Sequence, residues 1–202
     1  MGKKVNRVFW LQATVFKLSC GSLLGVVAVL SGKSRVQLFP DALKILQDIY
    51  SGMYPGVRIA AASSADTPLA VSIGKKSMSM LEIFPNVTMR DVFAMGWESS
   101  FEGNIQIGRT PPLSSDKSKT HFPIIRRETG ISYDKMVFFD DCNWGDHCSK
   151  VAAACPGVVT QKTPNGLQES EFLRAMGMYA ARYSENSTDS LAGCEHQSTR
   201  YS

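Results

Sequence analysis

The sequence predicts an α/β fold with a mostly parallel sheet. Three short apolar runs, VRIAAAS (57–63), MVFFD (136–140) and GVVTQ (157–161), have the length and composition of strands that are buried on both faces. Segments with helical periodicity lie between these runs and after the last one. Strands that alternate with helices indicate parallel pairing through crossover connections.

The helical segments are separated by recognisable turn residues. Pro40 opens the first helix, and Gly130 ends the third. Between residues 85 and 113 the apolar pieces are short and are interrupted by Gly and Pro, which predicts a small hairpin excursion. Helices are predicted over 40–53, 68–84, 118–129, about 145–154 and 167–181.

The length of 202 residues suits one domain with a tail at each end. We predict an atypical basic N-terminal segment over 1–35, a single folded domain over 36–182, and a disordered Ser/Thr-rich tail over 183–202.

The positive charge lies at the N-terminus. Residues 1–40 contain six Lys or Arg and no Asp or Glu, which leaves 16 basic against 18 acidic residues and a net charge of −2 in the remainder. A mildly acidic body argues against nucleic-acid binding, since it would repel phosphate backbones. The longest uncharged N-terminal stretch, Leu18 to Gly32, is shorter than the roughly 20 residues that a membrane-spanning helix needs.

The five cysteines are odd in number and have no repeating spacing, which is typical of reduced thiols. We therefore expect a cytoplasmic location, and we expect a monomer. A basic N-terminus without acids also resembles an organelle transit peptide, which is the alternative localisation.

Polar side chains follow two of the predicted strands. Ser63 and Ser64 end the first strand, and Asp140 and Asp141 end the second. Ligands of parallel sheets bind beyond the carboxyl ends of the strands. A serine there is by itself more typical of a helix cap or turn. Two adjacent carboxylates repel unless something neutralises them, and Mg²⁺ prefers carboxylate oxygens and leaves room for a phosphate.

Two further charged residues stand near predicted helix starts. Lys119 opens the helix predicted at 118–129, where the helix dipole disfavours a cation, so a nearby anion would explain it. Taken alone, Lys119 is a surface charge. Asp146 caps the helix that begins close to it or supports the metal ligands.

The order of these features resembles a known superfamily. Ser after a strand, Lys at a helix start and Asp-Asp after a later strand is similar to motifs two to four of the haloacid dehalogenase superfamily. PGVRIAAAS, KSKTHF and TGISYDKMVFFDD resemble its magnesium-dependent phosphatase family, over roughly Val36 to Phe172. The resemblance implies a Rossmann-like three-layer sandwich with a small cap or none.

The same resemblance implies roles for the residues. Ser63 binds a phosphoryl oxygen, with Ser64 beside it where some members carry Arg. Lys119 binds the phosphate and neutralises the nucleophile. Asp141 holds Mg²⁺, with Asp140 as a second ligand or an orienting neighbour. Substrates are expected to be small phosphorylated metabolites or phosphotyrosine.

Three further residues are expected to have structural roles. His121 matches the pattern after the lysine and is expected to be structural. Trp97 and Phe101 could shape substrate choice, although core packing suits them better.

The first motif of this family, an apolar strand followed by Asp-x-Asp-x-Thr, is absent, because no Asp or Glu precedes Asp41. The nearest skeleton, VVAVLSGKS (26–34), puts Val29 at the nucleophile position and Ser31 at the acid position. We expect Leu23–Leu30 to replace the central strand. Loss of one member of a catalytic unit costs roughly 10⁴–10⁶ in rate, so we expect little or no phosphatase turnover.

Three explanations stay open. The chain is a truncated or misread form of a phosphatase, a non-catalytic relative that binds a phosphorylated ligand, or an enzyme with a substitute nucleophile, for which Ser31 is the nearby candidate. A cysteine phosphatase is disfavoured because His147-Cys148 is followed by Ala154 where an Arg is required. A zinc site is disfavoured because the chain has no CxxC pair.

Overall fold

The computed structural model describes residues 7–10, 26, 28–31 and 34–192. The strands are β1 Arg7–Trp10, β2 Ala28–Ser31, β3 Ser34–Gln37, β4 Val57–Ser63, β5 Glu82–Phe84, β6 Val87–Thr88, β7 Ile105–Ile107, β8 Met136–Asp140 and β9 Val159–Lys162. The α-helices are α1 Pro40–Tyr50, α2 Pro68–Met78, α3 Met89–Ala94, α4 His121–Thr129, α5 His147–Ala154 and α6 Glu169–Ala192.

The main sheet has five strands in the order β7-β4-β1-β8-β9, and every neighbouring pair is parallel. The three strands predicted from the apolar runs are β4, β8 and β9. This confirms the predicted α/β class and its parallel sheet. Because all strands run in one direction, their carboxyl ends meet at one edge of the sheet.

The central strand is not the one expected from the sequence. β1 lies between β4 and β8, with Trp10 in register with Ala60 and Phe138. The expectation that Leu23–Leu30 supplies this strand is wrong, because Ala28–Ser31 instead pairs antiparallel with β3 in a separate two-stranded sheet. Val29 and Ser31 therefore do not occupy the nucleophile and acid positions.

Alternating side chains of the central strands build a core on each face of the sheet. On one face Ile59 and Phe139 join buried residues of α1 and α6. On the other face Ala60 and Phe138 join buried residues of α4 and α5. Neighbouring residues of a strand point to opposite faces, so one apolar run serves both cores. The result is three layers, helix, sheet and helix, as the resemblance implied.

The excursion predicted at 85–113 differs in detail. A short antiparallel hairpin forms from β5 and β6 and is followed by the short helix α3. β7 belongs to the main sheet as its edge strand. The helix predicted to reach residue 84 ends at Met78, because the chain turns there and continues as β5.

The ends of the predicted domain have mixed outcomes. β1 comes from the predicted N-terminal segment, and α6 continues to Ala192, into the predicted tail. The division into 1–35, 36–182 and 183–202 stays a prediction, and residues 193–202 lie outside the described residues. Within the described part of the chain, none of the helices combines the length and apolar character needed to cross a membrane.

Candidate functional site

A cavity of about 620 Å³ opens at the carboxyl edge of the sheet. It brings together three of the residues predicted from strand ends, Ser63, Ser64 and Asp141. Other residues on its wall come from the loops and helices around that edge, including Asp66, Arg109, Trp144, His147 and Thr163. Strand ends that are distant in sequence thus line one space.

Asp140 does not line this cavity, because its carboxylate points into the protein. It is fully buried and accepts a bond of 2.5 Å from the Lys117 ammonium, which is also fully buried. Its second carboxylate oxygen accepts the Cys142 backbone N–H at 2.8 Å. A buried charge must be paired, so Asp140 and Lys117 require each other for stability.

Lys119 lies elsewhere. Its side chain is 78% exposed and stands 3.9 Å from the Asp116 carboxylate. The helix predicted to start at 118 starts at His121, because Asp116 accepts bonds from the Ser118 backbone and hydroxyl and holds the preceding residues in a turn. The lysine that contacts the acid pair is therefore Lys117, whereas the sequence interpretation had assigned this role to Lys119.

Asp141 points into the cavity. Its side chain accepts bonds of 3.2 Å from the backbone and side-chain amides of Asn143. Cys142, between them, has a φ of +56°, a left-handed turn that few residues other than Gly adopt. The turn that follows Asp141 brings both amides of Asn143 within hydrogen-bond distance of its carboxylate. Among the residues that the structure describes, no group of three or more His, Cys, Asp and Glu side chains could hold a metal ion.

His121 anchors the end of β4. Its Nε2 is 3.1 Å from the backbone oxygens of both Ser63 and Gly108, and its Nδ1 is 3.1 Å from the Thr120 hydroxyl. Carbonyl oxygens only accept, so Nε2 carries a proton. Burial lowers the pKa of His121 to about 4, which agrees with the structural role expected for it.

The neighbouring loops are held in similar ways. Arg109 donates from Nε to the Ser64 backbone oxygen at 3.0 Å. Asp146 caps α5 by accepting the Ser149 N–H at 2.9 Å, the first of the two roles predicted for it. Trp97 stacks on Phe101 at a centroid distance of 4.9 Å, and neither lines the cavity.

The start of α5 places His147 and Cys148 side by side. Burial raises the pKa of the Cys148 thiol, so the nucleophilic thiolate of a cysteine phosphatase is disfavoured. His147 instead lines the cavity and is 7% exposed. The sequence interpretation treated it only as part of a His-Cys pair and missed its position beside Asp141.

The sequence at the end of the central strand can be compared with the first motif described above. β1 ends at Trp10 in the sheet centre, and the sequence from there is Trp10-Leu11-Gln12-Ala13-Thr14. Set beside Asp-x-Asp-x-Thr, this run has the Thr, with Trp10 and Gln12 in place of the two aspartates. The signal in the sequence for this comparison is the short run RVFW (7–10) with Thr14 four residues after its last residue.

The family model described as Acid Phosphatase matches residues 17–182. Among curated proteins, none matches the chain. A similar solved structure is the N-terminal part of the protein BF1531 from Bacteroides fragilis, which contains a phosphatase domain and is complexed with Mg. The two chains are 16% identical with a TM-score of 0.47, over 81% of this chain and 38% of that one. Because the family model spans most of the sequence, the chain belongs to the acid phosphatase family, as the motif resemblance indicated.

Proposed function

We propose that this chain binds a phosphomonoester together with Mg²⁺ at the carboxyl edge of the sheet and hydrolyses it poorly or not at all. Membership of the acid phosphatase family supports the phosphate-binding part of the proposal. The observation that carries the second part is the sequence at the end of β1, where Trp10 and Gln12 stand at the two aspartate positions.

The charges around the cavity argue for a cation. The positive charge of Lys117 is already paired with Asp140, so Asp141 faces the cavity without a cationic partner among the described residues. A phosphate dianion beside that carboxylate would be repelled. The Asp141 carboxylate suits Mg²⁺, because proteins bind this ion through one or two carboxylates, with waters and substrate phosphate completing its coordination shell.

The residues then have distinct roles. Asp141 would hold Mg²⁺, which supplies positive charge against the phosphoryl oxygens when bound. The Ser63 hydroxyl is available to a phosphoryl oxygen. Asp140 orients the loop through Lys117 and the Cys142 N–H, so we assign it to positioning and not to metal binding.

The aspartyl-phosphate route of the family needs a carboxylate nucleophile and a second carboxyl group to protonate the leaving group. Neither tryptophan nor glutamine supplies such a group. The alternative to an impaired phosphatase is a binding protein without turnover for a small phosphorylated metabolite or phosphotyrosine. Residual hydrolysis of a phosphomonoester separates the two.

The test is calorimetric binding of inorganic phosphate with and without Mg²⁺. We expect binding with Mg²⁺, its loss without the ion, and its loss in Asp141→Asn. The exposed Asp134→Asn is the matched control for charge and should bind as the wild type does. No binding in the presence of Mg²⁺ would refute the proposed ligand.

Hydrolysis of p-nitrophenyl phosphate is measured on the same samples. We expect no turnover, or a trace that depends on Mg²⁺. Turnover of about 1 s⁻¹ or more, in the ordinary range for enzymes, that Asp141→Asn abolishes would overturn the claim of impairment.

A further inference from the structure

His147 lies on the cavity wall and has a buried ring nitrogen without a partner among the described residues. His147 is 7% exposed, and its Nδ1 makes no hydrogen bond within the part of the chain that the structure describes. Leaving a buried polar atom unsatisfied costs about 1–3 kcal/mol. Buried nitrogens of this kind are usually bonded, so a group that enters the cavity is the natural partner.

Hydrogen bonds and an ion pair hold the backbone around His147. Asp146, the preceding residue, caps α5 and also pairs with Lys162 at 2.6 Å. The His147 backbone N–H donates to the Gly145 oxygen at 2.8 Å. The ring is therefore carried by a fixed helix start, beside the same cavity as Ser63 and Asp141.

The ring is held neutral. Burial lowers the pKa of His147, and the positive charge of Lys117 lowers it further, while Asp140 acts in the opposite direction. A neutral imidazole carries one N–H and one lone pair. With the proton on Nδ1, this unpartnered nitrogen is a donor, which suits an oxygen of an anionic ligand.

We propose that His147 is a ligand-contacting residue, whose Nδ1–H donates a hydrogen bond to an oxygen of the phosphorylated ligand bound in this cavity. The inference rests on the proposed phosphate binding and adds a residue to it. His121 provides the contrast within the chain, because both of its ring nitrogens already have protein partners.

Two side chains separate the ring nitrogens. Asparagine places its amide near the position of Nδ1, and glutamine places its amide near the position of Nε2. In phosphate titrations with Mg²⁺, we expect His147→Asn to bind within about threefold of the wild type. His147→Gln and His147→Phe should bind about tenfold or more weakly, the loss expected for one hydrogen bond to a charged group. Thermal melts establish that each variant is folded.

A second measurement needs no variant of the cavity. In the full chain with ¹⁵N-labelled histidine, the His147 Nδ1 resonance should move with phosphate saturation in Mg²⁺, and the His121 resonances should stay. Normal phosphate binding by folded Gln and Phe variants, weak binding by a folded Asn variant, or an unmoved Nδ1 resonance at saturation would overturn the role of His147 and leave the proposed function intact. No phosphate binding by the wild type overturns both.

Discussion

The two neighbouring strands at the centre of the sheet end very differently. β8 ends at Asp140 and is followed by Asp141, each held by its own hydrogen bonds, with Lys117 buried against the first. β1 ends in Trp10, and no carboxylate occurs in the first 40 residues. Asp141, the carboxylate that we propose for Mg²⁺ binding, thus follows β8, whereas the sequence at the end of β1 supplies no carboxylate.

At the β8 end, the carboxylate of Asp140 has the ammonium group of Lys117 beside it. Asp140 and Lys117 form a fully buried ion pair, in which each charge compensates the other away from the solvent. The three predictions below test this contrast, from the largest expected effect to the smallest.

Restoring carboxylates to the β1 end should remove the contrast. For the double variant Trp10→Asp, Gln12→Asp we expect Mg²⁺-dependent hydrolysis of p-nitrophenyl phosphate to rise by about 10³-fold or more, part of the roughly 10⁴–10⁶ that a complete catalytic unit contributes. The matched control is Trp10→Asn, Gln12→Asn, which changes size and polarity without adding a carboxylate. A folded double-Asp variant that stays inactive would show that Trp10 is not at the nucleophile position.

Breaking the buried pair should damage the β8 end. Lys117→Met leaves the Asp140 carboxylate buried without its cation, so we expect a loss of about 3–5 kcal/mol in the free energy of unfolding. Lys119→Met is the control two residues away, and its exposed side chain should matter by no more than about 0.5 kcal/mol. Urea unfolding measures both. Equal effects of the two variants would contradict the assignment of Lys117 to the site.

The β4 end should depend on pH through His121. The unfolded chain takes up a proton on this ring near pH 6.5, whereas the folded chain does so only near pH 4. Stability from His121 is therefore present above pH 6.5 and is lost as the pH falls to 4, by about 3 kcal/mol. The wild type should lose that much more than His121→Gln in urea unfolding between pH 7 and pH 4. Parallel losses in the two proteins would exclude a neutral buried ring.

Much of the fold was predictable from local patterns. The apolar runs at β4, β8 and β9 are long enough to stand out, and their alternation with helices implied a parallel sheet. Parallel strand ends share one edge, so Ser63 and Asp141 could be assigned to one site before the cavity was known. β1 was missed because its four described residues give too short an apolar signal.

The sequence by itself determined the α/β class, the strand ends that carry Ser63 and Asp141, and the lack of carboxylates before Asp41. Only the tertiary structure decided that Lys117 and not Lys119 meets the acid pair, and that Arg7–Trp10 fills the sheet centre. Composition is a property of the chain, whereas burial and pairing depend on packing between segments that lie far apart in sequence. Two lysines in one short run become distinguishable only when a turn buries one and exposes the other.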